Sequence, residues 1–184
     1  MELKNFKLEL DEQGVAVLTA NRPEKHNAMN DLSWRELNEC FTWADTAPEV
    51  KVVILTGAGD KAFIAGADIN SLAAKSPTDC LGGAGQKALD KIETCSKPVI
   101  AAVNGYAFGG GCEISIACDH RVVSENALFA LPETGLGILP GAGGTQRLTR
   151  LVGVGRAKDM ILLGRKISAQ EAAQIGLGTK CVPQ

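Results

Sequence analysis

Two glutamates and two glycine-rich turns are the parts of this chain best equipped for chemistry. The turn GYAFGGGCE (105–113) follows an apolar run and opens a helical pattern. Three consecutive glycines expose backbone N–H groups there and let a ligand approach closely. The start of a helix also carries partial positive charge from its unpaired N–H groups, which suits an oxyanion or a phosphate. A second turn, FIAGADI (63–69), again combines small residues with exposed N–H groups. Two such turns could aim two donors at one developing oxyanion, worth about 2.7–4 kcal/mol per donor. Glu113 falls in the first turn of the helix after the glycines, where dipole and N–H groups favour the ionised form expected of a base. Glu133, in FALPETGLG, has apolar and small neighbours, and burial among them would raise its pKa and suit an acid. Each feature also has a plainer reading. Glycines permit tight packing, and single glutamates serve at surfaces or as caps. The pairing with two donor turns is more informative than either glutamate alone.

Other candidates are weaker. Asp68 reads as a helix cap before it reads as a catalyst. GLGILPGAGGTQRL (135–148) is a glycine-studded run into a helix, a further anion or packing turn. Arg22 and Lys25 lie in the loop NRPEKHNA, where either could meet a phosphate or simply face solvent. His26 and His120 have no metal-ligand partners near them in sequence, and Cys112 has no adjacent base and reads as packing.

Composition narrows the chemistry further. The chain has 184 residues, 45% of apolar type and 22% charged, which supports a sizeable core and excludes wholesale disorder. A formal charge of -2 gives no general pull on nucleic acid or anionic membrane, so an anionic ligand needs a local site. No run of about 18 apolar residues suggests a membrane span, and the alternating MELKNFKLEL start does not read as a signal peptide. Six dispersed cysteines with no CxxC pair read as reduced, mostly buried residues, consistent with a cytoplasmic location. Two histidines and no HExxH, GxSxG or Walker pattern leave carboxylates and backbone groups as the chemical equipment.

The elements that must position those groups follow from periodicity. Residues 6–10 and 15–20 read as strands across a DEQG turn. Asn30 or Asp31 caps a predicted helix over 31–46, with Leu32, Leu37, Phe41 and Ala44 on one face. Residues 50–57 and 97–105 read as strands buried on both faces. AGDKAFIAGADI reads as a loop between them, and 78–95 as a helix weakened by Gly82, Gly83 and Gly85. A short helix at GGGCEISIAC, strands at DHRVVSE and ALFAL, and three helical runs from 143 complete the expectation. VILTGAGDKAFIAGADI and VIAAVNGYAFGGGCEIS look like two copies of one plan, which suggests stacked superhelical turns; a plain α/β sheet is the alternative. No linker divides the chain, which reads as one domain over 1–184.

These strings also resemble a known family. NRPEKHNAM, VVILTGAGDKAFIAGADI, KPVIAAVNGYAFGGGCEISIACDHRV, LPETGLGILPGAGGTQRLTRLVG and ISAQEAAQIGL are together similar to the enoyl-CoA hydratase/isomerase (crotonase) family, over about residues 15–182. The resemblance implies an α/β spiral of repeated ββα units. It implies an acyl-CoA thioester substrate whose carbonyl meets the backbone N–H groups of Ala67 and Gly110. Glu113 then corresponds to the glutamate that positions and activates water, and Glu133 to the one that exchanges a proton at C2. Having both favours reversible hydration of trans-2-enoyl-CoA to 3-hydroxyacyl-CoA. Lys25, Ala28, Ala65 and Ile69 fall where the family holds the adenine and phosphate part of coenzyme A. No metal or redox cofactor is implied, since coenzyme A is part of the substrate. Family chains continue past ISAQEA into C-terminal helices that cover the acyl end and build trimers or hexamers; a homo-oligomer is therefore expected in kind, and the C-terminal helical region is expected to be absent here. The rival expectations are an enoyl-CoA isomerase, an inactive coenzyme A-binding short form, and RNA binding, which the acidic pI of about 5.7 opposes.

Overall fold

The computed structural model describes residues 2–184. Strands β1 (Phe6–Leu10) and β2 (Val15–Ala20) pair antiparallel across the expected turn. Asp11 closes that turn, its carboxylate accepting from the N–H groups of Gln13 and Val15, both at 2.9 Å. A 3-10 turn at Pro23–Lys25 leads to helix α1 (Asp31–Thr46), whose N-cap is Asn30 with its side chain accepting from the Ser33 N–H. Trp34, Leu37, Cys40, Phe41 and Ala44 form its buried face, and Leu32 is half-buried.

Next come β3 (Val52–Gly57), β4 (Ala62–Ile64), α2 (Ile69–Ala73), α3 (Pro77–Leu81) and α4 (Ala84–Glu93). Two expectations are corrected here. The predicted loop AGDKAFIAGADI contains strand β4, too short to show alternation but paired parallel to a later strand. The predicted helix over 78–95 is two helices, because Gly83 takes a left-handed φ of 61° that ends one axis and starts another. Strands β5 (Val99–Val103) and β6 (Tyr106–Phe108) lead into α5 (Gly110–Ala117). Strands β7 (His120–Ser124) and β8 (Leu128–Ala130) lead into a 3-10 turn at Glu133–Leu136. Helices α6 (Gly144–Val152) and α7 (Val154–Leu162), strand β9 (Ile167–Ser168), helix α8 (Ala169–Gln174) and strand β10 (Lys180–Val182) follow.

The sheets show the plan behind this order. One sheet runs β1-β2-β3-β5-β7-β10 and the other β4-β6-β8-β9. Each pass of the chain lays one strand in the first sheet and the next strand in the second: β3 then β4, β5 then β6, β7 then β8. Pairing between successive passes is parallel in both sheets. The chain is therefore a spiral of ββα turns, with a third turn beyond the two visible in sequence. Strands β3 and β5, predicted to be buried on both faces, alternate buried and half-buried residues instead, since one face is covered only in part. A continuous buried cluster runs from Phe6 to Leu177 and joins the two sheets to α1, α4, α5 and α6. Among the described residues, no helix is long and apolar enough to cross a membrane.

Candidate active site

The spiral brings the same point of each successive turn, the segment just after its second strand, to one cleft of about 340 Å³. Ala65–Ala67 follows β4, Gly109 and Gly110 follow β6, and Pro132 and Glu133 follow β8; all line this cleft. Glu113 from α5, Trp34 from α1, Gly85 from α4 and Ala142 before α6 complete the wall near them.

The two donor turns touch. A Cβ on Gly66 would lie 3.0 Å from the Phe108 carbonyl, and one on Gly110 would lie 3.9 Å from the Ala67 nitrogen. Gly111 permits this approach, because a Cβ there would overlap the Ile64 carbonyl on β4. The Ala67 amide is kept available by the loop before α1. Met29 donates to Gly66 O at 2.8 Å and receives from the Asp68 N–H at 2.9 Å, while the Ala65 N–H donates to His26 O at 3.1 Å. These bonds use residues 65, 66 and 68 and leave the N–H of Ala67 out of the ladder. His26 and Asn27 reach this geometry through left-handed φ values of 51° and 58°. The Asn27 side chain holds the bend, accepting from the Arg22 N–H and donating to Ala58 O and Ala62 O. The Gly110 N–H is available for a different reason. Gly110 is the first residue of α5, with no helical carbonyl one turn back to receive it. At the other end of α5, the buried Arg121 donates to Ser115 O and Cys118 O and satisfies the carbonyls that the helix leaves unpaired.

The two glutamates sit in opposite surroundings. Glu113 is 3% exposed, and its Oε1 accepts from the N–H groups of Ala142 at 2.9 Å and Gly144 at 2.8 Å. Burial pushes its pKa up, while those two N–H groups and the Arg147 guanidinium oppose the rise. Glu133 is 9% exposed, and its Oε2 is buried with no hydrogen-bond partner among the described residues. Burial pushes its pKa up to about 7; its own backbone N–H opposes this and the charge of Glu113 adds to it. Cys112, next to Glu113 in the chain, is fully buried, and burial raises its thiol well above the ordinary range, as suits packing rather than chemistry.

The remaining sequence candidates divide. Asp68 caps α2, its Oδ1 accepting from the N–H groups of Asn70 and Ser71. Arg22 is tied to Ala28 O at 2.6 Å and to Asp68 at 3.3 Å. Ala65 and Ile69 line the cleft. Lys25 is exposed on the 3-10 turn and Ala28 is half-buried beside it; neither is part of the cleft wall. The glycine-studded run before α6 is an anion turn, and the anion it holds is the side chain of Glu113. Its glycines announced the turn, but nothing in the sequence announced a ligand 29 to 31 positions upstream. In the sequence, Trp34 stands out only as part of the predicted helix over 31–46. Its ring would lie 3.2 Å from a Cβ on Gly110, so it backs the donor turn directly. Among the described residues, no group of three His, Cys, Asp or Glu side chains is placed to hold a metal ion.

Known proteins match this architecture closely. The family model described as enoyl-CoA hydratase/isomerase matches residues 11–184. The short-chain-enoyl-CoA hydratase of Clostridium acetobutylicum is 50% identical over 184 residues, covering 99% of this chain and 70% of that protein. The crotonyl-CoA hydratase of Syntrophomonas wolfei is 48% identical over the same length, again 70% of its own chain. The crystal structure of an enoyl-CoA hydratase from Bacillus anthracis superposes with a TM-score of 0.93 at 43% identity, covering 98% of this chain and 70% of that one.

Proposed function

The chain belongs to the enoyl-CoA hydratase/isomerase family, and we propose that it catalyses the reversible hydration of trans-2-enoyl-CoA to 3-hydroxyacyl-CoA. The observation that carries this reading is the unequal carboxylate pair on one cleft, beside two free backbone amides. The thioester oxygen is bound by the N–H groups of Ala67 and Gly110, which polarise the enoyl system and stabilise the enolate-like charge. Water lies between Glu113 and Glu133. As its oxygen bonds C3 it gives a proton to Glu113, whose ionised form the two amides of the α6 turn favour. Glu133, held partly protonated near neutral pH, gives its proton to C2. Proton exchange then resets the pair, and the reverse sequence is dehydration.

Coenzyme A enters as part of the substrate, and each step uses the chain's own groups. The adenine and phosphate part of coenzyme A is assigned to Ala65 and Ile69, which line the cleft, together with Lys25 and Ala28, which are not part of its wall. The names of the two hydratases described above support the same substrate class. The test is crotonyl-CoA hydration by the purified chain, followed as loss of enoyl-thioester absorbance with product identification. Formation of 3-hydroxybutyryl-CoA is expected; a folded chain that only moves the double bond, or does nothing, overturns the reading. A homo-oligomer and a cytoplasmic location belong to the same proposal. Light scattering that shows a clean monomer removes the first, and cell fractionation tests the second.

A further inference from the structure

Glu113 is held by a loop, and the loop is held by one side chain. Arg147, on α6, donates from Nη1 to Ala142 O at 2.8 Å. The N–H of that same Ala142 donates to Glu113 Oε1. The rest of the Arg147 guanidinium points the other way, to α4. Its Nη2 meets Asp90 at 2.9 Å and Glu93 at 2.7 Å, and its Nε meets Glu93 at 2.9 Å. Helix α4 is itself a wall of the cleft through Ala84, Gly85 and Gln86. The side chain of Arg147 is only 12% exposed, whereas Asp90 and Glu93 are more than half exposed. An ordinary surface ion pair contributes little. A planar guanidinium that spends all its edges on three fixed partners is a geometric part instead.

We propose that Arg147 is a positioning residue for Glu113, clamping the Ala142–Gly144 loop to helix α4 so that the carboxylate and the cleft wall keep one spacing. Its charge also reaches Glu113 and favours the ionised form. The other groups around Glu113 do not supply this. Glu133, which lines the same cleft, is a second carboxyl and brings no positive charge. Cys112 lies on the same helix and is a neutral thiol, raised by burial. On α4, Asp90 and Glu93 are engaged by Arg147, and Lys87 and Lys91 are exposed. Arg150 on α6 is exposed. Strand β4 carries no titratable side chain, and the Tyr106 ring of β6 is stacked on Phe108 at the surface.

The test compares R147Q and R147K with the parent chain, and its first readout needs no activity. The Glu113 carboxyl is titrated by NMR in chain labelled with carbon-13 at glutamate Cδ, its signal assigned by E113Q. R147Q is expected to raise the titration midpoint, and R147K to keep it near the parent value. An unchanged midpoint in folded R147Q overturns the inference. The second readout rests on the hydratase reading and uses crotonyl-CoA. R147Q is expected to lose about 10–100-fold in kcat, consistent with a misplaced base, with KM changed less and the acid limb of the profile moved to higher pH. R147K, a point charge that cannot span all three partners, is expected to lose kcat without moving that limb. If R147Q only lowers melting temperature and its folded fraction turns over like the parent, Arg147 is structural and the proposal fails. A parent chain without hydratase activity defeats the functional reading, and the titration still decides the role of Arg147.

Discussion

Glu113 and Glu133 are the same residue type on the same cleft, and both are buried, yet the protein treats them differently. Glu113 has two amide donors on one oxygen and a guanidinium behind them. Glu133 has an oxygen with no partner and a pKa pushed up to about 7. Asp68, the N-cap of α2, supplies a third case. Burial raises its carboxyl, but the N–H groups of Ser71 and Asn70 and the Arg22 guanidinium outweigh that and hold it below the usual range. What separates the three is the number of donors that reach each carboxylate once water is gone, and burial alone does not order them. A buried carboxylate with donors is a base or a cap; one without donors keeps its proton and becomes an acid.

The sharpest way to break this comparison is to remove each charge in turn. E113Q and E133Q are each expected to lower kcat on crotonyl-CoA by about 10²–10⁴-fold. They should differ in stability. E113Q places an amide where two N–H donors converge and lowers the melting temperature, whereas E133Q removes a desolvated acid and leaves it equal or higher. Equal stability effects would mean that the two environments are not distinct.

The pH dependence of stability is the next largest effect. The folded pKa of Glu133 lies above its ordinary value of 4.5, so the folded chain binds the extra proton more tightly than the unfolded chain. The associated stability is fully present below about pH 4.5 and is lost as pH rises through about 7. E133Q lacks this loss, so its stability relative to the parent should grow across that window by up to about 3 kcal/mol. Urea denaturation at pH 5 and pH 8 measures the difference; a constant gap would remove the raised pKa. In the hydration direction the same group predicts a rate that falls above about pH 7, as the acid loses its proton.

The donor turns sharpen the comparison from the other side. G110A pushes a methyl to 3.2 Å from the Trp34 ring and shifts the amide that the substrate uses. A loss of about tenfold in kcat/KM with about 1–2 kcal/mol of stability is expected, read by kinetics and denaturation on the same preparation. Asp68 should give the smallest effect. D68A removes a cap worth about 1 kcal/mol and should change kcat less than about tenfold; a larger kinetic loss would place Asp68 among the chemical groups.

Much of the site could be read from types and spacing, because its donors are backbone groups that glycines advertise. The GGG turn, both glutamates, the Asn30 cap and the strand-turn-helix plan are all local features, fixed by neighbours in the chain. The three-residue strands β4 and β6 were not readable, since three residues show no period and gain their identity only from pairing with each other and with β8. The third turn of the spiral, RVVSENALFALPE, has both its strands where the sequence places them, but it was not legible as a third copy of the plan, because it ends in a 3-10 turn where the previous two end in helices.

By itself the sequence determined which residues carry acid, base and exposed amides, since those properties belong to side-chain type and to local backbone freedom. It also pointed to Glu113 as base and Glu133 as acid, from a helix start and from apolar neighbours; only the tertiary structure supplied the donors that set the two apart. The Ala142–Gly144 amides reach Glu113 from 29 and 31 positions away, and none reaches Glu133 Oε2. Proton affinity depends on the donors that surround a carboxylate after water has left, and that company is assembled by folding.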